Sequence, residues 1–137
     1  MGDEKMRPVA AYTATNTHWQ SNLYDVFYVA CRCGFAYAAA HEQLDEHDGD
    51  RDIKISFHTQ AFRILINVSK HIQSKMKDEG GYSQSLKNEM DSIASYYAAI
   101  APQSYSGNNQ FNGIMGKDIA TCKHYETFFE GLVKEAV

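Results

Sequence analysis

Apolar residues recur along this chain with helical spacing, and one stretch dominates. Val26–Ala40 reads VFYVACRCGFAYAAA and holds a single charge, Arg32. Around it Trp19, Leu23, Val26, Ala30, Cys33, Tyr37, Ala40 and Leu44 follow at alternating steps of four and three. That is a seam of the kind a helix presents to a nearly parallel neighbour. Thr17 and Gln20 fit a capping box, and Asp and Gly gather after His47. The pattern predicts a first helix over about 17–47.

Its opposite face carries Ser21, Asp25 and Arg32, but also Tyr28, Phe35 and Ala39. A helix apolar on two sides is buried on two sides. Either it is central in its own bundle or its second face is covered in an oligomer. Gly34 and Ala38–Ala40 would let another helix approach closely.

Three more helices follow. The second is expected over about 51–77, with Phe57, Ala61, Ile64, Leu65, Val68, Ile72 and Met76 on its apolar side. Its first part, residues 53–58, alternates with period two and could instead be a strand. The 3.6-residue period takes over without a breaker, which favours helix. Gly80-Gly81 should stop it. The third spans about 83–101, where Pro102 ends it. The fourth spans about 118–136, with Asp118 as its N-cap. Residues 103–116 are expected as a loop folded onto the body.

The fold class implied is all-α: an antiparallel four-helix bundle with a long central first helix. Residues 1–15 are expected to be a flexible, extended N-terminal arm, and residues 16–137 one domain.

Composition sets limits on function. The chain has 137 residues, 44% of them hydrophobic, and a net charge of −4. One core is within reach, and nothing global draws the chain to nucleic acid or anionic membrane. A fifteen-residue apolar run with polar flanks is too short to span a bilayer. Cys31 and Cys33 point to nearly opposite sides of a helix and cannot bridge each other. Three cysteines, an odd number, read as thiols in a reducing cytoplasm, including that of a host cell making a viral or plasmid protein. No signal peptide is visible.

Candidate chemistry is sparse. In an antiparallel bundle one pole gathers His41, Asp45, His47, His58, Cys122 and His124 under the 103–116 loop. His41 and Asp45, at i and i+4, could share a metal with His124. Tyr105 and Phe111 in the loop, with Tyr28, Phe35 and Arg32, are the candidate ligand or interface residues. Arg32 should pair with a carboxylate of the third or fourth helix, with Glu89, Asp91, Glu126 and Glu130 in reach, or receive an anion. Asp48–Asp52 is no calcium loop, because Ile53 stands where a sharp turn needs Gly. Lys54, Arg63, Lys70, Lys75 and Lys77 make a modest basic stripe. No Gly-x-Ser-x-Gly or phosphate-cradling loop is present.

Arg51-Asp52-x5-His58 resembles the Arg-polar-x(4–5)-His signature of the HEPN ribonuclease family. The likeness covers eight residues. It implies a small helical bundle, often dimeric at the motif, with Arg51 holding a phosphate and His58 moving a proton.

The pattern as a whole favours a non-enzymatic helical interaction module: a regulator, adaptor or inhibitor that binds another protein or itself. A HEPN-like nuclease and a small-molecule or metal binder at the pole are the alternatives. No cofactor and no membrane partner are implied, and nucleic acid is possible but not favoured.

Overall fold

The computed structural model describes residues 6–78 and 84–136. It is helical with one small hairpin. In order come α1 (Val9–Thr15), a 3-10 turn (Trp19–Ser21), α2 (Leu23–Glu46), α3 (Arg51–Phe62), a π-helical segment (Arg63–Val68), α4 (Ser69–Asp78), α5 (Gln84–Ser104), β1 (Tyr105–Gly107), β2 (Gln110–Phe111) and α6 (Gly113–Ala136). Residues 1–5 of the expected arm and the Gly80-Gly81 stop lie outside the described residues.

α2 is the hub. α3, the π segment, α4, α5 and α6 all pack on it. The seam is buried: Trp19, Val26, Ala30, Cys33, Tyr37, Ala40 and Leu44 are at most 5% exposed. So are Val29 and Ala36 on other sides. The second apolar face of this helix is covered only in part from within the chain, since Tyr28, Phe35 and Ala39 stay half-buried.

α2 starts later than the capping-box reading predicts. Asn22 is extended, and its side chain accepts the Asp25 N–H at 2.9 Å. Asn caps at least as well as Thr. The break also turns the Trp19 ring onto α6, 4.9 Å from Tyr125 and 5.3 Å from Phe128.

Residues 9–15 correct the expectation of an extended arm. They form α1, which packs on α6. Val9 is fully buried and its N–H donates to Asp118 Oδ1 at 2.8 Å. Thr13 and Tyr125 share a hydrogen bond at 2.9 Å.

Residues 53–58 are helical, not a strand. Asp50 caps α3 by accepting the Ile53 N–H at 3.0 Å. The helix then passes through a π turn into α4. A face drawn at steps of four drifts around an α-helix, and a wider turn absorbs one extra residue. Val68 and Ser69 both become buried there, and Ile72 and Met76 come back onto the core side. The Ser69 hydroxyl donates to the Leu65 carbonyl. Gly34 permits the close approach. A Cβ there would lie 2.5 Å from Leu65 Cδ2.

The antiparallel arrangement is seen between α2 and α3, where Gly34 faces Ile64 and Leu65 while His41 faces His58. α5 runs parallel to α2, since Tyr24 bonds Glu89 and Arg32 bonds Tyr97. The contacts of α6 also advance with α2, from Cys33–Cys122 to Tyr37–Glu126, so the fold is all-α as expected but the alternating, antiparallel four-helix bundle is not what the helices form.

Two boundaries move. α5 continues through Pro102 to Ser104, whose hydroxyl donates to the Ile100 carbonyl at 2.8 Å. Much of the expected 103–116 loop is the β1–β2 hairpin, with Tyr105 opposite Phe111. Asn108 and Asn109 at its tip both have positive φ, which suits a tight hairpin turn. Asn109 Oδ1 accepts the Asp50 N–H at 2.7 Å, tying the tip to the α2–α3 connection.

A disulfide joins Cys33 of α2 to Cys122 of α6, and Cys31 is free and buried. Cys31 and Cys33 do not bridge each other, as their helical spacing requires. The expectation of three thiols is corrected, and with it the argument for a reducing compartment, since such bonds persist where conditions oxidise. Among the described residues, no helix is long and apolar enough to cross a membrane.

Candidate functional site

Arg32 sits at the crossing of α2, α5 and α6, with no exposure. Its Nε donates to the Tyr97 hydroxyl at 2.8 Å and its Nη1 to the Tyr28 hydroxyl at 2.9 Å. Its Nη2 donates to the Arg7 carbonyl at 2.7 Å and to Asp118 Oδ2 at 2.9 Å. The Tyr97 hydroxyl donates to the same Oδ2 at 2.6 Å. Burial alone would weaken the Arg32 charge. The oxygens of Tyr97, Tyr28 and Asp118 outweigh it and hold the guanidinium above its usual value. Burial pushes the Tyr97 hydroxyl up, and Asp118 adds to this while Arg32 opposes it.

This set is closed. Each nitrogen of the guanidinium has a partner, so no anion is needed there. The carboxylate is Asp118 rather than Glu89, Asp91, Glu126 or Glu130. Asp118 reads as an N-cap in the sequence, but α6 begins at Gly113 and places it inside the helix. Tyr28 is half-buried as part of the same set, and Phe35 is half-buried against the core.

The pole assembles in part. The His41 and His58 rings lie 4.9 Å apart. His47 stacks on Tyr105 at 4.8 Å, Tyr105 meets Phe111 at 5.4 Å, and Phe57 lies edge-on to Phe111 at 6.4 Å. Tyr105 and Phe111 thus roof the pole as expected. The metal set does not gather. Asp45 is exposed and pairs with Lys54 at 3.1 Å, and His124 is exposed. Among the described residues no three His, Cys, Asp or Glu side chains could hold a metal ion.

The outer face of α3 and the π segment after it is different in kind. Ile55, Phe62 and Ile66 are 47%, 58% and 40% exposed. With Thr59 they recur at steps of four, three and four, one stripe along a helix. Phe57, Ala61, Ile64 and Val68 fill the core from the other side. Arg51 and His58, both exposed, fall beside this stripe at i and i+7. Sequence reasoning passed over Ile55, Phe62 and Ile66. The signal was present, as large apolar residues left over once the core stripe is drawn.

The chain matches no family model, no curated protein and no solved structure.

Proposed function

We propose that this protein is a non-enzymatic helical interaction module that docks through the outer face of α3, and that a second copy of the chain is the partner this face fits. The observation that carries the reading is the exposed Ile55–Phe62–Ile66 stripe on a chain whose core is already filled. Burying the exposed half of three such side chains is worth roughly 1 kcal/mol each.

Charge supports self-pairing. Asp48, Asp50 and Asp52 stand at the start of α3, and Lys70, Lys75 and Lys77 follow in α4, all exposed. Two copies packed antiparallel about a two-fold axis set each acidic end against the other's basic end. The rod from α3 to α4 is about 40 Å long at ~1.5 Å per residue. A regulator, adaptor or inhibitor role would follow from occupancy of this face. Sedimentation of wild type against Phe62→Glu tests it: wild type should dimerise, and the variant should stay folded and monomeric.

A second reading has one observation in its favour. Arg51, Ile55, His58 and Phe62 share one side of α3, so the docking face also carries an Arg and a His at i and i+7. In the HEPN-like reading these cut RNA. Cleavage by wild type and its loss in a folded His58→Ala variant would support this; equal cleavage by both would rule it out.

A further inference from the structure

α2 packs antiparallel on α3 and the π segment in one register. Gly34 faces Leu65, His41 faces His58 and Asp45 pairs with Lys54. The two imidazoles are therefore set opposite each other by the helices that carry them. Both backbones are held on either side of the pair. Phe57, the residue before His58, packs on Tyr37, one turn before His41, with ring centroids 5.5 Å apart and both rings buried. Asp45 and Lys54, one turn nearer the α2–α3 connection, meet at 3.1 Å.

The ring centroids of His41 and His58 lie 4.9 Å apart, with the planes tilted by 43°. Two imidazoles that share one ion hold it through nitrogens at about 2.0–2.1 Å. With the two bonds roughly 90–109° apart, their centroids stand about 4.5–5.2 Å from each other. The two helices already provide that separation.

Neither imidazole makes a hydrogen bond among the described residues. His41 is half-buried and His58 exposed, so an ion and its waters reach the pair from solvent. The last torsion of a histidine is broad, and with no hydrogen bond to fix it each ring can turn a nitrogen to the gap. Neutral imidazole is the commonest protein ligand for metals of the zinc type.

We infer that His41 and His58 together bind one divalent transition-metal ion of the zinc type, with water completing its shell. The pair spans two helices and is not the i, i+4 pair of His41 and Asp45, whose carboxylate is taken by Lys54. Both ligands come from one chain, so the site does not depend on docking through α3. The ion bridges α2 and α3, so it binds the folded chain and stabilises it.

The test is calorimetric titration of the wild-type protein with zinc chloride, followed by thermal unfolding with and without zinc. Cys33 and Cys122 are joined and Cys31 is buried, so no thiol competes in the folded chain. The expected result is one tightly bound ion per chain and a higher unfolding temperature in its presence. His41→Ala and His58→Ala should each weaken binding by at least about tenfold, because the second ligand no longer acts within the same chain. Each should also remove the thermal shift, with circular dichroism confirming that the variant is folded. His124→Ala, outside the pair, should bind as wild type does. Absence of saturable binding, an unfolding temperature that zinc leaves unchanged, or a folded His41→Ala or His58→Ala protein that binds as tightly as wild type would overturn the inference.

Discussion

Arg32 and Asp118, 86 residues apart, meet at 2.9 Å with side chains at most 1% exposed. Breaking such a pair leaves one charge buried and unmatched, which costs about 3–5 kcal/mol. Asp118→Ala should lose that much in urea unfolding. Arg32→Leu with Asp118→Leu should lose less than the sum of the two single changes, because neither charge is then stranded. Additive losses would show that the two side chains do not interact.

Gly34 has no room for a side chain. A Cβ would meet Leu65 at 2.5 Å and Ile64 at 3.3 Å. Gly34→Ala should destabilise by about 1–3 kcal/mol through overpacking, despite the better helix propensity of Ala. Leu65→Ala in that background should recover part of the loss. A more stable Gly34→Ala protein would mean that α2 and the π segment are not packed as described.

The Cys33–Cys122 bond closes a separation of 89 residues. Loop-closure entropy puts its contribution at about 4–5 kcal/mol. Intact mass under non-reducing conditions should show the loss of its two hydrogens, and reduction should lower the unfolding midpoint. Burial pushes the Cys31 thiol up, with Glu89 adding to it. Cys31 should therefore resist iodoacetamide until the protein unfolds. Three alkylated cysteines in the untreated native protein would contradict both statements.

Several tyrosines make the fold sensitive to alkali. Burial raises the hydroxyls of Tyr97, Tyr37 and Tyr12, and the carboxylates of Asp118, Glu126 and Asp25 beside them add to it. Folded, they keep their protons above the ordinary tyrosine value of about 10, whereas the unfolded chain gives them up there. The unfolded state then binds fewer protons, so stability falls with rising pH. The contribution is complete below about pH 10 and should be lost progressively above it. Thermal unfolding between neutral and alkaline pH tests this, and a flat profile across that range would contradict it.

Much of the architecture was legible because it is periodic. The Trp19–Leu44 seam marks α2 and its buried faces, and the Phe57–Met76 face marks the second rod. What escaped depends on contacts remote in sequence. Asp118 looks like a cap until Gly113 starts α6 earlier. Cys122 gives no sign that Cys33 lies opposite. Val9–Thr15 is too short to show a period, and its helix is held by Asp118 and Tyr125. Pro102 looks like a stop, yet a last turn can run past it when Ser104 bonds back to Ile100. For the site, the sequence pointed to the second face of α2, which the chain itself covers in part. The open face lies on α3, where Ile55, Phe62 and Ile66 hid beside Arg51, His58 and Arg63.

The most direct test of the docking account is sedimentation velocity of wild type and Phe62→Glu at matched concentrations up to roughly 100 μM, where even a micromolar interface is filled. The account predicts a wild-type dimer and a folded, monomeric variant whose self-affinity is weaker by about 30-fold or more. A wild type that stays monomeric throughout, or a Phe62→Glu dimer as tight as wild type, would contradict it.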